Sequence, residues 1–181
     1  MGERRNQRQR SNIMIKFSLT QIQEKSPYEI IFSEGDFIFQ TDEGIHYSIS
    51  FSKEDIILGG CETYQFIIRK IEETHMPHDS KVKATILAII YEFFHSNSHV
   101  LFYICDTSDH REEIRNRLFL TWFEHNAEPE RFTIRTANTK IEGEGFYTAI
   151  IVENCNPKLQ EIIEEFERIS QILIEDKPHY D

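Results

Sequence analysis

The stretch Asp79–Cys105 reads DSKVKATILAIIYEFFHSNSHVLFYIC, and a change of period inside it decides the fold. From Val82 the apolar residues recur at helical spacing, with Val82, Ile86, Ile89, Ile90 and Phe93 on one side, because a helix returns to the same face every three to four residues. Ala84, Leu87, Ala88 and Tyr91 leave little polar surface elsewhere, so the helix predicted over about 80–95 is buried on most sides. Pro77 and Asp79 or Ser80 are its start signals. Val100 to Cys105 is then apolar at every position, the mark of a strand covered on both faces.

Upstream of this stretch the period is two. Tyr28, Ile30 and Phe32 alternate, then Phe37 and Phe39, then Ile45, Tyr47, Ile49 and Phe51, with His46, Ser48, Ser50 and Ser52 on the opposite, wet face. Ser33-Glu34-Gly35-Asp36 and Asp42-Glu43-Gly44 supply glycine where a tight antiparallel turn needs positive φ. A further strand, Tyr64 to Ile71, follows the Gly59-Gly60 break.

Downstream, a second helix is expected from Asp109 to about Glu124. Ile114, Leu118 and Trp122 face inward, and Asp109, Glu112 and Glu113 complement the dipole in its first turn. Strands follow at Arg131–Arg135 and Phe146–Val152, joined through Glu142-Gly143-Glu144-Gly145. The last helix opens with Asn156 as cap and Pro157 at the first position. Its stripe Leu159, Ile162, Phe166, Ile169 and Leu173 either docks on the chain's own sheet or meets a second copy. The predicted class is α+β, a single mixed, mostly antiparallel sheet of about seven strands with three helices, in the order β-β-β-β-α-β-α-β-β-α.

Composition sets the frame around this pattern. A chain of 181 residues, 39% hydrophobic and 12% aromatic, can bury a core without disulfide or metal staples. Its net charge of −11 hides an asymmetry: residues 1–13 carry four arginines, Arg4, Arg5, Arg8 and Arg10, against Glu3, so they contribute about +3 and the rest about −14. We read 1–13 as a basic arm, either native or an upstream-start artefact, and 14–181 as one domain. The acidic body argues against nucleic acid as a partner, except weakly through the arm. The arm has no apolar run to serve as a secretory signal, and no apolar run is longer than Ile86 to Tyr91, which is too short for a membrane span. Cys61, Cys105 and Cys155 stand apart with no C-x-x-C pair, which suits a reducing cytoplasm.

The densest polar cluster is Cys105-Asp106-Thr107-Ser108-Asp109-His110-Arg111, continuing to Arg115. It falls where the apolar strand ends and a helix begins, a common place for ligands. Arg111 and Arg115 are four apart and share a helix face near free amides, an arrangement for a phosphate or carboxylate. Asp106 and Asp109 either repel that anion or pair with the arginines and fix the turn. Asp106, Asp109, Arg111 and Arg115 are therefore the candidate ligand-binding set. His75-x-x-His78 with Asp79, and His95 with His99, lack the third and fourth ligands of a zinc site, so no metal is assigned. Cys105 with His110 five residues on reads as a packed thiol rather than a nucleophile. No G-x-S-x-G elbow, P-loop or G-x-G-x-x-G loop occurs.

Over about residues 28–153 the element order resembles the GNAT acyltransferases, which move an acyl group from coenzyme A to an amine. The resemblance implies a cofactor wedge between two splayed central strands, here Tyr64–Ile71 and Val100–Cys105. It also implies a [QR]-x-x-G-x-[GA] pyrophosphate loop before the first core helix, where this chain has Met76-Pro77-His78-Asp79-Ser80-Lys81-Val82-Lys83, without glycine. The family's tyrosine acid has no counterpart in Leu118-Phe119-Leu120-Thr121-Trp122-Phe123. Separately, Tyr103-x-Cys105-Asp106-x-x-Asp109-x-Arg111-x-x-x-Arg115 followed by Phe119-x-x-Trp122-Phe123 resembles a family of small uncharacterised bacterial domain proteins. That second likeness implies a bacterial cytoplasmic origin and transfers no functional residues.

Two functions remain in view. One is a non-catalytic interaction or regulatory protein with a protein partner or homodimer and no cofactor. The other is a divergent GNAT-like acyltransferase using acyl-CoA, or a binder of small anions, through the 105–115 cluster.

Overall fold

The computed structural model describes residues 15–72, 79–106, 120–141 and 144–175. Seven strands form one mixed sheet: β1 (Ile30–Ser33), β2 (Asp36–Gln40), β3 (His46–Leu58), β4 (Cys61–Lys70), β5 (Val100–Asp106), β6 (Phe132–Ile141) and β7 (Glu144–Glu153). Their spatial order is β1-β2-β3-β4-β5-β7-β6, and every neighbouring pair is antiparallel except β4 with β5. The helices are α1 (Leu19–Lys25), α2 (Ser80–Ser96), α3, described over residues 120–126, and α4 (Leu159–Glu175).

The α+β class and mixed seven-stranded sheet agree with the sequence pattern, but the described residues hold four helices rather than three. The addition is α1, LTQIQEK, which buries only Ile22. Two turns with a single buried residue generate no apolar repeat to read. A cap and a tertiary contact hold it instead: the Gln21 amide donates to Ser18 Oγ at the N-cap, and the Ser18 amide donates to the buried carboxylate of Glu92 at 2.9 Å.

The sheet is packed on both sides. Ile22, Phe37, Phe51, Tyr64, Phe93, Leu101 and Phe123 belong to the larger core, which α1, α2 and α3 cover. Leu58, Val100, Phe102, Ile150, Ile162 and Phe166 form the second core, beneath α4. Successive β5 residues alternate between the two, as expected for a strand covered twice. The predicted wet face is wet only in part: Ser48 is buried and donates from its hydroxyl to Asp36 at 2.8 Å.

Boundaries differ where polar residues interrupt the pattern. A bulge between Lys53 and Ile57 carries β3 on to Leu58, and β6 runs to Ile141 rather than stopping at Arg135. Asn156 does not cap the last helix directly. Its side chain accepts from the Lys158 amide at 2.9 Å, and the first helical bond runs from Ile162 to the Lys158 carbonyl, so α4 begins one short turn later.

Two hairpins close through two-residue turns with both φ angles positive, Glu34-Gly35 and Gly59-Gly60. The second lies against α4: the Gly59 amide donates to Glu165 at 2.7 Å. A Cβ added at Gly59 would stand 2.9 Å from both the Ile162 backbone nitrogen and its Cγ1.

Candidate functional site

The single parallel contact in the sheet is also its shortest long-strand contact. β4 and β5 pair only at Thr63 with Val100, Tyr64 with Leu101 and Gln65 with Phe102. Beyond this, β4 continues to Lys70 and β5 to Asp106 with no cross-strand register between them, while β5 stays paired with β7 up to Asp106 and Phe146. At the seam itself the Thr63 hydroxyl is fully buried and has no hydrogen-bond partner among the described residues.

Of the four predicted ligand-binding residues, the backbone of Asp106 is placed at the last position of β5. Asp109, Arg111 and Arg115 lie outside the described residues, as do His75, His78 and His110. His95 is exposed and His99 half-buried. Among the described residues no group of three or more His, Cys, Asp or Glu is arranged to hold a metal ion. Cys61 is half-buried, Cys155 exposed, and both are free thiols. No helix among the described residues is long and apolar enough to cross a membrane.

The start of α2 carries a polar cluster that spacing alone does not reveal. Asp79 is the N-cap: its Oδ1 accepts from the amides of Lys81 at 2.8 Å and Val82 at 3.4 Å. Its Oδ2 accepts from the Tyr28 hydroxyl at 2.7 Å. The Asp42 amide donates to that same hydroxyl, and Lys81 Nζ meets the Asp42 carboxylate at 2.6 Å. Burial pushes the Asp79 carboxyl up, but the Tyr28, Lys81 and Val82 hydrogen bonds outweigh it and hold the group below the ordinary aspartate value. Burial, then the bond to Asp79, raises the Tyr28 phenol. At neutral pH the helix thus begins on an anion of its own.

A second cluster lies where β3 and β4 turn. Glu62 accepts from Lys53 Nζ at 2.6 Å and from the Tyr64 hydroxyl at 2.8 Å, with His99 Nε2 at 3.8 Å. The His99 ring lies 4.8 Å from that of Tyr64. Hydrogen bonds from Lys53 and Tyr64 lower the Glu62 carboxyl. Burial first, and Glu62 second, push Tyr64 up to about 12, so this phenol keeps its proton at neutral pH and serves as a donor to Glu62 alone.

Burial lowers the His99 pKa, with Glu62 offsetting part of the effect. The unfolded chain takes up this proton near pH 6.5, the fold only at lower pH. Between the two values the unfolded state binds more protons, so stability present above the unfolded pKa is lost as pH falls through the folded one. We expect the urea midpoint to drop as the pH is taken from above the unfolded value of about 6.5 to below it, with His99→Gln flattening that slope.

The fold and these clusters define an α+β protein with a mixed sheet parted after one parallel seam, and with the first amides of its central helix already bonded to an aspartate. The chain belongs to a family of unknown function, DUF6169, whose model matches residues 78–168, from the start of α2 into α4. No curated protein and no solved structure matches the chain.

Proposed function

We propose that the chain is a non-catalytic interaction or regulatory protein built on a GNAT-like sheet. The parting of β4 from β5 after three residue pairs supports the likeness in shape. The observation that carries the reading is Asp79. In the acyltransferases the amides before and at the helix after the first wedge strand receive the cofactor's pyrophosphate. Here the amides of Lys81 and Val82 are bonded to the Asp79 carboxylate, and Lys81 is engaged by Asp42. A phosphate brought to this helix start would meet a fixed negative charge and displaced hydrogen bonds, so the residues do not fit coenzyme A bound in the family's manner. The free thiols Cys61 and Cys155 support a reducing, cytoplasmic setting.

The alternative, a small anion held by Asp106, Asp109, Arg111 and Arg115, draws its support from the position of Asp106 at the end of β5, where the strands have parted.

Thermal-shift measurement with coenzyme A, acetyl-CoA and phosphorylated metabolites tests both. The interaction reading expects no displacement of the melting temperature. A ligand present at about a hundred times its Kd would raise it by roughly 5–10 °C. A rise with acyl-CoA would overturn the interaction reading. A rise with another anion that disappears in Arg111→Ala would establish the alternative.

A further inference from the structure

The sheet has two edges, and they are finished differently. On β6, Arg135 Nη1 folds back onto the Ile134 carbonyl at 3.0 Å, and just before the strand Arg131 is bound to Glu153. Charged side chains along an edge are a familiar guard against strand pairing. On β1 the guard is two uncharged side chains. Ser26 Oγ donates to the Tyr28 carbonyl at 2.7 Å, and the Gln23 carboxamide spans two residues: its Oε1 accepts from the Ile30 amide at 2.8 Å and its Nε2 donates to the Tyr28 carbonyl at 3.0 Å. One acceptor and one donor placed on residues two apart reproduce the contact that one residue of a parallel neighbouring strand would make.

The Ile30 amide points away from β2, so with a period of two the Phe32 amide points outward as well. Among the described residues nothing partners it. Ile31 is 62%, Phe32 50% and Leu19 40% exposed, three of the six large apolar side chains left open among the described residues. Beside this edge runs an open groove of about 650 Å³, lined by Leu19, Thr20, Gln23, Glu24, Glu29 and Ile30. The two charged residues in that lining are both acidic.

We propose that the β1 edge is a peptide-docking site, which takes an extended partner segment of alternating apolar and basic residues as an eighth strand. The backbone of residues 28–32 supplies the ladder, Leu19 and Phe32 on one face and Ile31 on the other receive the apolar side chains, and Glu24 and Glu29 select for arginine or lysine. Gln23 on the Ile30 amide, and Gln23 with Ser26 on the Tyr28 carbonyl, are placeholders that the incoming strand displaces. This rests on the interaction reading above and names its partner class. The edge lies outside the residues matched by the family model.

The test is fluorescence anisotropy of the full chain with labelled peptides of about six residues, alternating valine with arginine or valine with glutamate. The basic peptide is expected to bind, and the acidic one not to. Reversing two exposed charges, Glu24→Lys with Glu29→Lys, should weaken the basic peptide roughly tenfold and admit the acidic one. Gln23→Ala should tighten binding, an outcome that a merely sticky groove does not give, and amide exchange at Ile30 and Phe32 should slow on saturation. Equal binding of both peptides, indifference to the charge reversal, or weaker binding in Gln23→Ala would each overturn the site. So would a dimer in sedimentation equilibrium that the basic peptide cannot dissociate, which would assign the edge to a second copy. Binding that appears only when Arg4, Arg5, Arg8 and Arg10 are all changed to Gln would assign it to the chain's own arm and overturn a separate partner. Failure here alongside a flat coenzyme A screen removes this site alone, whereas a positive acyl-CoA shift removes the interaction reading itself.

Discussion

Gly59→Ala is expected to cost about 2–5 kcal/mol, a large part of the stability of a domain of this size. Two effects add. Gly59 has φ +55°, where a side chain costs about 1–2 kcal/mol. Its Cβ would also stand 2.9 Å from the backbone nitrogen of Ile162, which α4 cannot withdraw without lifting its buried Ile162 from the second core. The neighbour separates the two causes. Gly60 has φ +77° and open space around its missing Cβ, so Gly60→Ala should show the conformational cost alone. Urea unfolding of both variants checks this, and equal losses would mean that the close approach of the hairpin to α4 contributes nothing.

Phe93→Ala is expected to cost about 3–5 kcal/mol. Phe93 is fully buried at the centre of an aromatic cluster, stacked on Phe51 at 4.9 Å and set edge-on to Phe94 at 5.1 Å and Tyr64 at 6.0 Å. Phe17, from the segment before α1, packs on the same ring at 6.3 Å. Truncation therefore opens a cavity where α2, β3, β4 and the N-terminal segment meet, and no single one of them can close it. Phe93→Leu, which refills most of the volume, should recover more than half of the loss. An unfolding free energy of Phe93→Ala within about 1 kcal/mol of the parent, from urea titration, would show that these elements repack freely.

Those two sites illustrate what a linear reading can reach. Phe93 was legible because α2 repeats its apolar residues over four turns, and Val100–Tyr103 was legible because every position is apolar. The glycines marked a turn, but not the helix a hundred residues later that presses on one of them. α1 was hidden by its brevity, and the far end of β3 by Lys53-Glu54-Asp55, where the bulge breaks alternation. Polar clusters were the least legible. Asp79 announced a helix start, yet its partner Tyr28 is 51 positions away. Glu62 and Lys53 meet only through the register of β3 with β4. Asp109, Arg111 and Arg115 lie outside the described residues, and the ligand screen with Arg111→Ala tests that cluster directly.

The three-residue parallel seam also has a kinetic meaning. From β1 to β4 each strand pairs with the next through a short turn, and β6 with β7 likewise, so these ladders close small loops. The contact between β4 and β5 spans the whole of α2 and offers only three residue pairs and a buried, unbonded Thr63 hydroxyl in return. We expect this junction to form after the hairpins on either side of it, once α2 and its aromatic face are in place. β5 is non-local on both sides, since its register with β7, Leu101 with Ile151 and Asp106 with Phe146, reaches across even more of the chain than Thr63 with Val100. Substitutions at Val100 or Thr63 are therefore expected to slow refolding in stopped-flow measurements more than those at the edges of the sheet.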